Sequence, residues 1–296
     1  QPYLPDAWAL NFGRRLKVYV PLAVKAATKV QIALAMVIRM AAELPFSWVT
    51  ADEAYGRSTV FRDGVLALQK WYVLEVPCNT LVRPMQGPGS ARPRRADEVC
   101  KLIKRQLPLD RVMVAYGEKE PIYVQAMMLE VSTARTGRRV RETLLYTEES
   151  NGEKKFYLAH VPVSATLTMV VRKARTRHRI EEVFGEAKGE VGMDHFECRA
   201  WHGWHNHMPM VQLAHWFLVR EQRRLGKKCP GITVSLVRQA VAKLTGQPWT
   251  PTRILDWLEH NLTRNEEARA DRYRAKGLKS PPRRWQPGWT PHDQSQ

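Results

Sequence analysis

The sequence predicts a mixed α/β fold with at least partly parallel strands. Three observations carry this. Apolar helical stretches alternate with short apolar strands between residues 30 and 76. Three further strand-like runs follow between residues 121 and 163. From residue 166 onward, apolar residues return at helical spacing.

Taken in order, residues 1–28 are irregular, with three prolines and the basic pair Arg14-Arg15. Ala33, Met36, Val37, Met40, Ala41 and Leu44 then mark a helix over 30–44, which Pro45 stops. Residues 46–52 form a short strand ending in an acid, Asp52. The turn Tyr55-Gly56-Arg57-Ser58 leads into a helix to about Lys70, and Tyr72–Val76 is the next strand. Residues 83–106 hold seven basic side chains against two acidic ones and read as a basic loop around Gly87-Pro88-Gly89-Ser90. Strands over 122–129, 140–146 and 156–161, with turns at Thr136-Gly137 and Asn151-Gly152, form a β-rich insertion. Helical spacing covers 166–188, 208–223, 235–244 and 252–260. Residues 264–284 carry eight basic against three acidic side chains and read as a mobile basic tail. The organisation expected is a first core part over 1–82, the basic loop and β-rich insertion over 83–163, a helical second core part over 164–245 and a partly disordered tail over 246–296.

The charge narrows the function. There are 47 Lys and Arg against 29 Asp and Glu, a formal net charge of +18. Such a field most often meets phosphate, so nucleic acid leads the list of partners, ahead of an anionic membrane surface and an acidic protein. The longest apolar stretch, 30–44, is broken by Arg39 and is too short to span a bilayer. No signal peptide is visible. Cys78, Cys100, Cys198 and Cys229 contain no CxxC pair, which argues against a zinc ribbon or disulfide framework and for a reducing cytoplasm.

One constellation carries chemistry. On a helical wheel through residues 177–189, Ile180, Val183, Phe184 and Ala187 form an apolar face. With Ile180 at zero, Arg177, Lys188 and Glu181 fall at about 60°, 80° and 100°, along one edge of that face. Glu182 and Glu186 fall at about 200° and 240°, toward solvent. The stripe reads either as an i,i+4 ion network stabilising the helix or as a metal-binding acid with cations placed for a phosphate backbone. Phosphodiester cleavage by two divalent ions needs the second arrangement. Asp52, at a strand end, is the natural second carboxylate; its alternative role is a helix N-cap.

These residues carry a resemblance. Val49-Thr50-Ala51-Asp52-Glu53-Ala54-Tyr55-Gly56 resembles the second-aspartate motif of bacterial insertion-sequence transposases of the DDE class. Arg179-Ile180-Glu181-Glu182-Val183-Phe184-Gly185-Glu186-Ala187-Lys188, running on to Arg199-Ala200-Trp201-His202-Gly203-Trp204, resembles the glutamate motif of their "seven-oh-one" branch. Similarity continues through residues 72–80 and 210–218 and covers roughly residues 1–245.

The resemblance implies a ribonuclease-H-like fold with flanking helices and three acids holding two Mg²⁺ or Mn²⁺ ions. Asp52 matches the second acid and Glu181 the third. Arg177, Glu181 and Lys188 match the last three members of a Tyr-x2-Arg-x3-Glu-x6-Lys pattern whose Tyr position is Ala174 here. Arg175 and Arg179, in the acid-free run 172–179, join Arg177 and Lys188 as expected phosphate contacts. The implied partner is double-stranded DNA, as transposon ends and target, in a bacterial, nucleoid-associated setting, with a homodimer as the implied assembly and no membrane. The family's first aspartate lies upstream of Gln1, and Asp6, after Pro5 in an irregular segment, is no substitute. The expectation is therefore a truncated transposase that does not cut DNA by itself, with a non-catalytic DNA-binding regulator or inhibitor as the alternative. A sequence-blind nucleic-acid coat is the weakest reading, because charge gives no reason for acids at a strand end and on a helix edge.

Other candidates carry less. His195, His202, His205 and His207 are of a type that suits zinc, but spacings of three and two before Pro209 fit an irregular helix entry better. Trp201 and Trp204 are candidates to stack on a base. Trp48 and Trp71 read as core, and Tyr55 and Arg57 as cleft-lining or turn-packing residues.

Overall fold

In the computed structural model the described residues are 3–282 and 284, except 88–89, 91, 118–119, 198 and 247–249. The elements in chain order are α1 (Asp6–Ala9), α2 (Phe12–Lys17), α3 (Lys29–Glu43), β1 (Trp48–Ala51), α4 (Glu53–Gly56), α5 (Thr59–Ala67), β2 (Trp71–Val76), β3 (Leu81–Pro84), β4 (Arg94–Arg95), α6 (Ala96–Lys104), β5 (Asp110–Tyr116), β6 (Pro121–Arg135), β7 (Arg138–Glu149) and β8 (Lys154–His160). They continue with α7 (Leu167–Arg175), α8 (His178–Val191), α9 (Trp201–Gly226), α10 (Val234–Gly246) and α11 (Pro251–Arg274). The chain forms two compact units. One comprises 1–16, 21–115 and 121–179; the other comprises 17–20, 116–120 and 180–296.

The first unit is built on one eight-stranded mixed sheet in the order β1-β2-β8-β7-β6-β3-β4, with β5 paired to β6. β1 and β2 run parallel, Ala51 opposite Leu74. The β2–β8, β8–β7, β7–β6 and β6–β3 pairings are antiparallel. This is a mixed α/β fold with flanking helices, consistent with a ribonuclease-H-like fold. The strands expected as an insertion join the same sheet as β1 and β2.

Local sequence explains the helices. Thr28 and Gln31 form a capping box on α3, and the chain leaves the helix at Leu44, before Pro45. Ser58 and Thr166 cap α5 and α7. Phe61, Val65, Tyr72 and Leu74 pack on one sheet face under α5. Val82, Val99, Cys100, Leu144 and Leu158 continue the packing under α6. On the opposite face Val73, Leu145, Tyr157 and Ala159 meet Val170 and Val171 of α7. The second unit has its own core, from Leu218, Val237, Ile254, Leu258 and Leu262 on α9, α10 and α11.

Four sequence expectations need correction. Residues 1–28, read as irregular, hold α1 and α2. The basic stretch 83–106 is more than a loop: it holds β4 and the amphipathic α6, whose Ala96, Val99 and Cys100 are buried. The helix expected over 166–188 is two helices broken at Thr176-Arg177. The tail expected over 246–296 is, from Pro251 to Arg274, a helix capped by Thr250. Its apolar positions at helical spacing continue past residue 260, and Tyr273 is fully buried, its hydroxyl donating to the Gly117 carbonyl at 3.0 Å. Residues 285–296 of that tail lie outside the described residues. Among the described residues no helix is long and apolar enough to cross a membrane.

Burial sets the pH dependence of stability. Burial pushes the Cys100 thiol up to about 12, with Asp97 adding to it. Burial also raises the phenols of Tyr72, Tyr146 and Tyr157. Each keeps its proton in the folded chain above the pH at which the unfolded chain releases it, near ~8.5 for Cys and ~10 for Tyr. Their stabilisation is complete below those values and is lost as pH rises toward the folded ones. Burial lowers the His160 imidazole, so that contribution is lost in the opposite direction, as pH falls below about 6.5. A urea midpoint measured from pH 5 to 11 is expected to fall at both ends.

Candidate functional site

β1 ends at Ala51, and the chain turns directly into α4. Asp52 is the N-cap: its Oδ1 accepts from the Ala54 N–H at 3.0 Å. The N-cap role seen in the sequence is therefore present, and it fixes the carboxylate at the C-terminal end of a parallel strand pair. Side chains at that edge of an α/β sheet reach a crevice. Tyr55 packs on Phe61, ring centroids 5.5 Å apart, as turn packing requires. Arg57, the C-cap of α4, is exposed.

Gly56 explains the close of the Asp-Glu-Ala-Tyr-Gly sequence. α4 lies so near β2 that a Cβ at position 56 would fall on the Glu75 carbonyl oxygen, far inside van der Waals contact. Only glycine permits this approach, and the approach holds Asp52 over the end of β2.

Glu75 is the residue that sequence reasoning missed. The parallel register places Ala51 opposite Leu74, so the next residues, Asp52 and Glu75, are neighbours. Glu75 is half-buried, and burial raises its carboxyl; Lys155 and Arg177 oppose the shift, while Glu53 and Asp52 add to it. Arg177 Nε lies 3.8 Å from Glu75 Oε2. In the first unit Glu75 thus feels two cations, Lys155 and Arg177, more strongly than it feels the two acids, Glu53 and Asp52. The available signal was one acid inside the apolar run Tyr72-Val73-Leu74-Glu75-Val76, at the strand end where α/β sites form.

The remaining expected site residues divide as follows. Arg177 lies in the break between α7 and α8, not on α8, and joins Glu75. Arg175 closes α7 and pairs with Glu149. Glu181 stands exposed in the first turn of α8, where the helix dipole favours an anion. Arg179 and Lys188 are exposed on the same helix.

The wheel misjudged the inward face of α8. Ala187 is buried, but Ile180, Val183 and Phe184 are 48%, 39% and 46% exposed. Two contacts through acidic side chains lie on its other side. Glu186, expected in solvent, accepts from His215 Nε2 at 3.0 Å, and Glu190 pairs with Arg238 at 2.5 Å. The inward positions are therefore Ala187, Glu190 and Val191, while the Glu186 side chain stays 42% exposed.

The histidines make local contacts. His205 Nδ1 lies 2.8 Å from the Trp201 carbonyl, and His207 Nε2 lies 3.1 Å from that of Gly192. His202 packs on Tyr19. Trp201 and Trp204 both pack on His205. Trp48 and Trp71 are half-buried, under Lys173 and against His160 respectively. Among the described residues, no three His, Cys, Asp or Glu side chains converge as a metal-ion site.

Residues 1–142 match the sequence model of a family described as DDE superfamily endonuclease. That stretch contains Asp52, Gly56, Glu75 and the sheet through the start of β7. No curated protein matches the chain. The match supports a transposase-like nuclease function.

Proposed function

We propose that the chain carries two of the three metal-holding acids of a DDE transposase of the "seven-oh-one" insertion-sequence branch, and so supplies part of a strand-cutting and strand-transferring site. Asp52 and Glu181 would be the metal ligands, and Arg177, Arg179 and Lys188, with Arg175, would hold the DNA backbone. The observation that carries the reading is Asp52 itself, capped at the end of a parallel strand pair in the segment that matches the endonuclease family.

The residues suit Mg²⁺ or Mn²⁺. Hard cations take carboxylate oxygens, and capping occupies only one acceptor position of Asp52. Asp52 stands at this end of the sheet with Glu53 and Glu75, where Lys155 and Arg177 act on Glu75 more strongly than the two acids do. Asp52 and Glu181 would hold the divalent ions, which would supply an activated oxygen nucleophile and charge neutralisation at the leaving oxygen. The chain's own task is to hold the scissile phosphate against that position by its guanidinium forks. Water, and then a DNA 3′-hydroxyl, would attack in turn.

A second reading is a DNA-binding protein that occupies insertion-sequence ends without cutting them. The absence of a three-residue ligand cluster among the described residues favours it.

A nicking assay on terminal-repeat duplex with Mg²⁺ or Mn²⁺ separates the two. Asp52→Asn keeps an N-cap acceptor of nearly equal quality, so folding stability should hold while cleavage disappears. Glu181→Gln should behave likewise. Cleavage that survives both substitutions contradicts the nuclease assignment. Tight, repeat-selective binding without cleavage by the unsubstituted chain supports the second reading.

A further inference from the structure

A second concentration of positive charge lies on the sheet away from Asp52. Arg83 on β3 pairs with Ser132 on β6, and Ser132 pairs with Arg141 on β7. Direct cross-strand partners share a face, so the three form one row, arginine–serine–arginine. Arg139 stands two residues before Arg141 and faces the same way. These four residues line an open groove of about 480 Å³.

The arginines are available for a ligand. Arg83 Nε donates to the Ser90 carbonyl at 2.7 Å, which anchors its guanidinium on the groove wall. Among the described residues neither Arg83 nor Arg139 forms an ion pair with a carboxylate. Arg141 pairs with Glu130, but both side chains are more than half exposed, and exposed pairs contribute little.

We propose that this groove is a second docking surface for the phosphodiester backbone of duplex DNA; the inference rests on the DNA-processing reading above. Arg83 and Arg141 stand two strands apart, about 10 Å, and Arg139 is one pleat from Arg141, about 7 Å. That spread exceeds one phosphate group and suits a run of them. Guanidinium forks grip phosphate oxygens in pairs. The row lies three to five strands from β1, roughly 14–24 Å, so a duplex seated here is gripped at a distance from the end of β1.

The test is duplex binding by the full chain, followed by fluorescence anisotropy across a salt series. In the triple variant Arg83→Gln/Arg139→Gln/Arg141→Gln, the slope of log K against log salt should flatten by about 2.7, at about 0.9 per lost phosphate contact. Arg139→Gln alone changes an exposed, unpaired side chain that the sheet does not need, and it should flatten the slope by about 0.9. A charge-matched control, Lys17→Gln/Lys101→Gln/Arg105→Gln, should leave the slope within one contact of the parent. An unchanged slope in the arginine variants, or an equal change in the control, overturns the groove while leaving the DNA reading intact. Failure of the unsubstituted chain to bind duplex at any salt overturns both.

Discussion

Replacing Glu142 by alanine is expected to lower stability by about 3–5 kcal/mol, the usual consequence of stripping one partner from a buried ion pair. The Glu142 side chain is fully buried on β7. It accepts from Tyr72 Oη at 2.7 Å and from the Thr133 hydroxyl, and it lies 3.1 Å from Arg135 Nη2 and 3.6 Å from Arg62 Nη1. The arginine side chains are 1% and 5% exposed. Burial pulls both guanidinium groups down; Glu142, Tyr72 and Asp63 outweigh it for Arg135, whereas burial prevails for Arg62. Asp63, held by Arg135 Nε at 3.0 Å, is the remaining counter-charge. Without Glu142, two buried cations share that one half-exposed carboxylate. The network ties α5 to β2, β6 and β7, so its loss loosens the sheet on which Asp52 stands. Tyr72→Phe removes one hydrogen bond to a charged acceptor and should cost less, about 1.5–3 kcal/mol. Urea denaturation of the three proteins gives the order: parent, Tyr72→Phe, Glu142→Ala.

Gly56→Ala is expected to damage both stability and activity. Overpacking a buried site costs about 1–3 kcal/mol even when neighbours can shift. Here the obstacle is the Glu75 backbone carbonyl rather than a flexible side chain, so α4 has to move. Because α4 begins at Asp52, the displacement carries the carboxylate with it. Gly64→Ala is an informative comparison. Its added Cβ would meet Leu34 Cδ1 at 2.5 Å, and that side chain can yield. Gly64→Ala should therefore lower the urea midpoint with little effect on metal-dependent cleavage, whereas Gly56→Ala should lower both.

Much of the fold is legible in the sequence because apolar periodicity reports it directly. α3 ends where Pro45 requires, and β1, β2, β6, β7 and β8 fall on the alternating and apolar runs. α6 was hidden by the arginines that flank it, Arg92, Arg94, Arg95 and Arg105, although Asp97 and Glu98 in its first turn and Lys101 and Lys104 in its last are the charge order a helix dipole favours. The face of α8 was misjudged because a wheel reads apolar spacing alone, while the pairs Glu190–Arg238 and Glu186–His215 link the other side of the helix to α10 and α9. Glu142 could not be picked out at all. It follows Arg138, Arg139 and Arg141 in a segment that reads as solvated, and only the β2–β8–β7–β6 strand order brings Tyr72, Thr133 and Arg135 to it. Asp52 was legible as a strand-end acid. Its neighbour Glu75 needed the parallel β1–β2 register.

The proposed role of Asp52 and Glu181 as ligands of a divalent-metal site has a direct test. Fe²⁺ with ascorbate and peroxide cuts a polypeptide beside the bound ion, and mass spectrometry of the fragments reads the positions. Cuts near residues 52 and 181 together are expected, competed by Mg²⁺ and both lost in Asp52→Asn. Cuts at neither position, or cuts near 181 that persist in Asp52→Asn, would contradict it.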